Sequence, residues 1–193
     1  MSSSRAISLS VRVAGIALLM TAAPALPQAA RQDQRALFPA EQEWLARHND
    51  ARAEVGLGRL RWSHALTRDA RAWANELAAR GAPLRHSPDL RALAQGENLW
   101  KGTRGRYAPQ QMIDLFIAER RMFRPGIFPD VSTTGRWSDV GHYTQIVWPD
   151  TQEVGCASAV NARHEVLVCR YWPAGNVMGY RLDPAAREPR RQS

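Results

Sequence analysis

The sequence predicts an α+β chain, with an antiparallel sheet held between helical layers. Three observations carry that reading. Helical apolar spacing dominates the first two thirds, and strand-like runs fill the last third. The strand candidates are joined by short connections, which favour antiparallel neighbours. Val147 and Trp148, and then Val166, Leu167 and Val168, continue apolar runs without alternation, as strands covered on both faces do.

The elements follow in order. Arg5 and Arg12 precede an apolar run over 13–26, and the small residues of TAAPALPQAA follow it. Residues 1–30 therefore read as an export signal, with a retained N-terminal anchor as the alternative. Pro39 can open a first helix, in which Trp44, Leu45, His48, Ala51 and Val55 keep helical spacing up to Gly56. Ser63 is a good N-cap for a second helix, with the stripe Leu66, Ala70, Trp73, Ala74 and Leu77, ended by Gly81. Pro109 opens a third helix, expected to run to about Arg124 before Pro125 and Gly126. Residues 82–107 and 125–138 read as long irregular stretches, of the length that usually serves binding. Strands are expected at 140–148, 153–160 and 165–172, and 183–193 reads as a disordered tail.

The chain has 193 residues and two cysteines. Strands 153–160 and 165–172, turning between Ala162 and Arg163, place Cys156 directly opposite Cys169, within reach of a disulfide. Export favours the bridge over two free buried thiols. The formal charge of +8 falls to about +6 once Arg5 and Arg12 leave with the signal. Lys101 is the only lysine, a bias that suggests a GC-rich bacterial genome. The arginines are scattered, without a basic block interleaved with aromatics, so no nucleic-acid partner is expected. Loose attraction to an anionic cell surface is compatible with the charge, and peripheral membrane contact stays open.

The candidate chemistry begins with GHYTQIVW, which sets His142 and three further polar residues at the start of an expected strand. Glu119 lies seven residues after Met112 and four before Phe123, on the apolar face marked by Met112, Phe116 and Phe123. A carboxylate on such a face reaches water at the edge of the stripe or needs a partner, and His142 is one candidate. His86 in RHSPDL and Glu97 in GENLW lie in the first irregular stretch. Taken singly, His86 reads as an exposed loop histidine, and GENLW as a turn glycine followed by a short apolar anchor.

LRWSHAL, LRHSP, GENLW, GHYTQIVW and CRYWPAGNVMGY, in that order, resemble the CAP superfamily: cysteine-rich secretory proteins, antigen five and plant pathogenesis-related proteins, also called the SCP domain. The resemblance covers about 41–180, and a domain at 38–182 is drawn around it. It implies a three-layer α-β-α sandwich and a cleft lined by His86, Glu97, Glu119 and His142. Phe116 stands where the family commonly has tryptophan, and Cys156 with Cys169 matches the family's hairpin pair. The further disulfides and the cysteine-rich module of eukaryotic members are missing, which sets channel-blocking and venom-type roles aside.

The functional expectations follow from that resemblance. His86 and His142 are the expected metal ligands, for weak binding of zinc or another divalent cation. Glu97 and Glu119 complete the shell, hold the imidazoles or bind water, and Asn98 and Gln145 belong to the surrounding network. No organic cofactor is expected. The leading function is a secreted or periplasmic binding module for a lipid, a sterol-like molecule or an envelope component, with 100–107 and 122–131 bordering an apolar groove. A metal-assisted hydrolase using Glu97 or Glu119 as general base is the alternative, and a structural or defence-related surface protein is a third. An enzyme is the lesser expectation, and a monomer is favoured.

Overall fold

The chain is seen here as a computed structural model that describes residues 36–81 and 83–183. The export signal and all but the first residue of the tail lie outside the described residues.

Helix α1 (Pro39–Ala53) opens with proline at its first turn, and helix α2 (His64–Arg80) begins on Ser63, whose side chain accepts from Leu66 N. Gly81 ends α2 in the left-handed region, at φ 61°, where a side chain would be strained. The whole expected stripe of α2 is buried: Leu66, Ala70, Trp73, Ala74 and Leu77. Between the two helices lies the short strand β1 (Arg61–Trp62).

A four-stranded sheet forms the middle layer in the order β1-β4-β5-β2, with β4 at Glu153–Val160, β5 at His164–Trp172 and β2 at Gly96–Thr103. β4 and β5 form the expected hairpin, with Cys156 facing Cys169, and the two sulfurs are bonded. β2 lies antiparallel to β5, while β1 runs parallel to β4. Alternation divides the sheet between two cores. Val154, Cys156, Leu167, Cys169 and Tyr171 join Trp44 of α1 and Met112, Ile113 and Phe116 on one side. Leu99, Ala157, Val166 and Val168 meet Ala70, Trp73, Ala74 and Leu77 of α2 on the other. The result is the expected sandwich: α2 covers one face, and α1 with α4 (Pro109–Ile117) covers the other.

Four expectations need correction. GHYTQIVW is not a strand. Gly141–Ile146 forms a short helix, α5, after a 3₁₀ turn at Trp137–Asp139. Its residues 143–148 are buried all round, so the apolar run reflects burial rather than a sheet. GENLW is not in an irregular stretch but opens β2, because β5 offers its free edge to it. The remainder of that stretch contains a single helical turn, α3 (Leu90–Leu93). The third helix stops at Ile117 and tightens into 3₁₀ turns at Ala118–Met122, a common way for an α-helix to end. A two-stranded ribbon, β3 (Gly126–Ile127) with β6 (Arg181–Leu182), interrupts the second expected loop.

The segments expected to border an apolar groove are partly buried and partly exposed. Trp100, Phe128 and Val131 are buried, and Met122 and Phe123 pack on the third cluster beside Phe128 and Trp148. Ile127 and Tyr107 are left exposed. Among the described residues, no helix is long and apolar enough to cross a membrane.

Candidate functional site

The cleft is assembled from four places in the sheet and helix layers. His86 comes from the segment after α2, Glu97 from the first turn of β2, and Glu119 from the 3₁₀ turn after α4. His142 sits in the first turn of α5. His86, Glu97, Asn98, Trp137, His142 and Asn176 are among the residues that line one cavity of about 210 Å³.

The four residues meet as two histidine–glutamate pairs. His86 Nδ1 donates to Glu97 Oε1 at 2.8 Å, and Ser87 N donates to the same oxygen at 3.1 Å. His142 Nδ1 donates to Glu119 Oε1 at 2.6 Å, while His142 N and Tyr143 N donate to Oε2 at 2.9 and 3.1 Å. A carboxylate only accepts, so both imidazoles carry their proton on Nδ1 when neutral. Nε2 is then the nitrogen left to accept, on two histidines that line the same cavity. Each glutamate accepts a hydrogen bond from the imidazole beside it.

Glu119 has a second task. A six-residue helix is far below the length at which isolated helices persist in water. α5 is held at both ends by charges of the sign its dipole prefers. Glu119 accepts the first free N–H groups, and buried Arg52 donates to Ile146 O at 2.9 Å and Trp148 O at 2.8 Å. Arg52 is 2 % exposed, and burial pushes its guanidinium down to about 10. Phe116 stacks on the His142 ring at 4.6 Å, so the residue in the family's tryptophan position keeps an aromatic floor.

Asn98 and Gln145 make further bonds around the cleft. Asn98 Nδ2 donates to His142 O and to the Tyr171 hydroxyl, each at 3.0 Å. Tyr171 in turn donates to His48 Nε2 at 2.8 Å, and His48 Nδ1 donates to Trp44 O at 2.7 Å. The carbonyl fixes this histidine tautomer, and the chain of bonds ties the cleft to α1. Burial lowers His48 to about 4, helped by the charge of Arg52 and opposed by the bond to Trp44, and burial pushes the Tyr171 phenol up. Gln145 accepts from Gly175 N at 3.0 Å and donates to Thr151 Oγ1 at 3.3 Å. It fastens the YWPAGN turn to α5. Asn176 of that turn donates to Gly141 O at 2.9 Å and accepts from Thr144 Oγ1 at 2.7 Å.

Arg170 was missed by the sequence reading. Its Nε lies 2.9 Å from Glu97 Oε2, although the N–H is not aligned on that oxygen as a hydrogen bond. The signal was present: Arg170 is the lone cation inside the apolar run of β5, and a charge there needs a partner.

The donor set decides what the cleft can hold. Two neutral imidazoles backed by carboxylates are suited to a divalent transition metal. No three ligand atoms of the tetrad lie within 4.8 Å of one another among the described residues. His48, Cys156 and Cys169 do cluster that tightly. Their sulfurs are bonded to each other and offer no thiolate, and both His48 nitrogens are engaged.

A family model described as CAP, the cysteine-rich secretory protein family, matches residues 45–171. The chain belongs to this family. Pathogenesis-related protein 1B of Nicotiana tabacum is 33 % identical over 140 residues, covering 72 % of this chain and 78 % of its own. Pathogenesis-related leaf protein 4 of Solanum lycopersicum is 36 % identical over 141 residues, covering 72 % and 81 %. Among solved structures, NaASP2 with Zn2+ superposes with a TM-score of 0.62 at 24 % identity, over 74 % of this chain and 83 % of that one. At that identity the likeness is one of fold, and it agrees with the α-β-α sandwich described above.

Proposed function

We propose that this CAP protein is an exported binding module whose cleft takes one divalent transition metal between His86 and His142. The observation that carries the reading is the pairing of each Nδ1–H with a glutamate, which leaves Nε2 as the metal-binding nitrogen of two histidines that line one cavity. Carboxylates bonded in this way orient a metal-binding imidazole and raise its basicity. The crystal structure of NaASP2 with Zn2+, a protein of the same fold, supports zinc as the first ion to test. A bound ion would supply a Lewis-acidic centre with positions open to a small ligand or water. His86 and His142 hold it, Glu97 and Glu119 keep the rings in place, and Asn98 fixes the backbone of His142.

The same geometry disfavours the hydrolase. Glu97 and Glu119 have their oxygens occupied by N–H donors or by Arg170, so neither stands free as a general base. Ser87 Oγ is bonded to Asp89, away from His86. We therefore assign a binding role, with a lipid, a sterol-like molecule or an envelope component as the organic ligand class, in a secreted or periplasmic monomer. The disulfide fits an oxidising compartment. Native mass spectrometry with metal analysis tests the proposal on protein isolated from its own compartment. One divalent ion per chain is the expected result. Protein that carries no metal and takes up none from micromolar zinc would overturn it.

A further inference from the structure

We propose that Arg170 is a positioning residue for the His86 arm of the cleft. Its buried guanidinium holds the Glu97 carboxylate and thereby fixes which nitrogen of His86 faces the cavity. The inference rests on the reading that the cleft binds through His86, and it adds the residue that makes this arm competent.

The placement is set by register. Glu97 of β2 and Arg170 of β5 are directly opposed in the antiparallel pair, so their side chains rise together on the face covered by α2. On the far side Arg170 is opposite Gly155, where α2 approaches too closely for any side chain. The guanidinium is thus confined between Glu97 and the turn that precedes α3. The Arg170 side chain is 1 % exposed and that of Glu97 is 0 %. Arg170 Nη1 donates to Gln95 Oε1 at 2.8 Å, and Nη2 donates to Asp89 Oδ1 at 3.2 Å. Asp89 also accepts from Ser87 Oγ, and that bond, followed by the Arg170 charge, holds its carboxyl below the ordinary value. Ser87 N donates to Glu97. A closed ring of contacts therefore runs from Glu97 through Arg170, Asp89 and Ser87 back to Glu97.

The two arms of the cleft differ in what holds them. His142 is anchored by helix α5, by the Phe116 ring and by its own backbone N–H on Glu119. The His86 side chain is 62 % exposed, and Glu97 is its one side-chain hydrogen-bond partner among the described residues. Its orientation therefore depends on the Glu97 plane, and one oxygen of that plane is held by Arg170 alone among the described contacts. Without the guanidinium the carboxylate can turn, and Nδ1 loses its acceptor. The proton then distributes between both nitrogens, and Nε2 no longer presents a fixed lone pair.

The test is long-range 1H–15N spectroscopy of the imidazoles on the full chain at a pH where they are neutral, combined with zinc titration. Wild type should show His86 protonated on Nδ1. R170Q should show mixed His86 tautomers, leave His142 unchanged, and weaken zinc about 10–100-fold, the usual cost of removing a group that holds a ligand. R170K should restore most of the His86 signature, because it returns a cation beside Glu97. If circular dichroism shows that R170Q fails to fold, D89N carries the test, since Asp89 is half exposed and its loss frees the guanidinium from the carboxylate that helps aim it at Glu97. It should shift His86 in the same direction by less. A folded R170Q or D89N with wild-type His86 signals would overturn the proposal. Zinc that moves neither histidine in wild type would strike the binding reading and leave the tautomer result standing.

Discussion

Acid should weaken this fold through a buried imidazole, that of His48. His48 is fully buried, donates from Nδ1 to Trp44 O and accepts at Nε2 from the Tyr171 hydroxyl. A second proton would make Nε2 a donor beside the Arg52 charge, and the Tyr171 hydroxyl could accept it only by turning its own proton away from the ring. In the unfolded chain His48 takes up its proton near its ordinary value of about 6.5, and in the folded chain only near about 4. Between these values the unfolded state carries more protons, so stability falls as pH falls. At about 1.4 kcal/mol per unit, the window is worth about 3 kcal/mol. The contribution is fully retained above about pH 6.5 and fully lost below about pH 4. Urea unfolding at pH 7 and at pH 4, followed by tryptophan fluorescence, measures it. His48→Gln should be less stable at neutral pH and should lose most of this pH dependence. A wild-type midpoint that stays constant from pH 7 to pH 4, or a variant with the same slope as wild type, would refute the reasoning.

Two further outcomes follow from the packing around the cleft. Glu119→Ala removes the acceptor for two backbone N–H groups of α5 and for His142 Nδ1, so it should cost roughly 1–3 kcal/mol by denaturation. It should also weaken zinc about 10–100-fold by calorimetry, and an unchanged affinity would remove Glu119 from the support of the site. Gly155→Ala would place a Cβ 2.5 Å from Ser63 O and Thr67 N, both backbone atoms that cannot move aside like a flexible side chain. It should force α2 away from β4 and lower stability by about 1–3 kcal/mol, and a wild-type melting temperature would show that the helix has room to spare.

The parts of the fold that were legible in the sequence are local ones. Ser63 and Gly81 mark the ends of α2 through their own chemistry, and the β4–β5 register follows from a short turn. GHYTQIVW misled because six residues are too few to show a helical period, and because β-branched and aromatic residues filled a segment buried on all sides. What makes that segment a helix is Glu119 and Arg52, both remote in sequence. β2 was hidden for a similar reason, since its partner β5 is some seventy positions away. The tetrad was legible only through family order. Spacing made His142 one candidate partner for Glu119, but it gave no reason for His86 and Glu97 to join them and no hint that Glu97 would need Arg170.

The central claim is that His86 and His142 jointly hold one divalent ion. Calorimetric zinc titration of wild type against the His86→Ala, His142→Ala double variant tests it most directly. Wild type should bind one zinc per chain, with affinity falling in acid as protons compete for the imidazoles. The double variant should keep its circular dichroism spectrum, because the sheet, α2 and the Cys156–Cys169 bridge do not depend on either ring. It should show no saturable zinc heat. Identical isotherms for the two proteins would contradict the account.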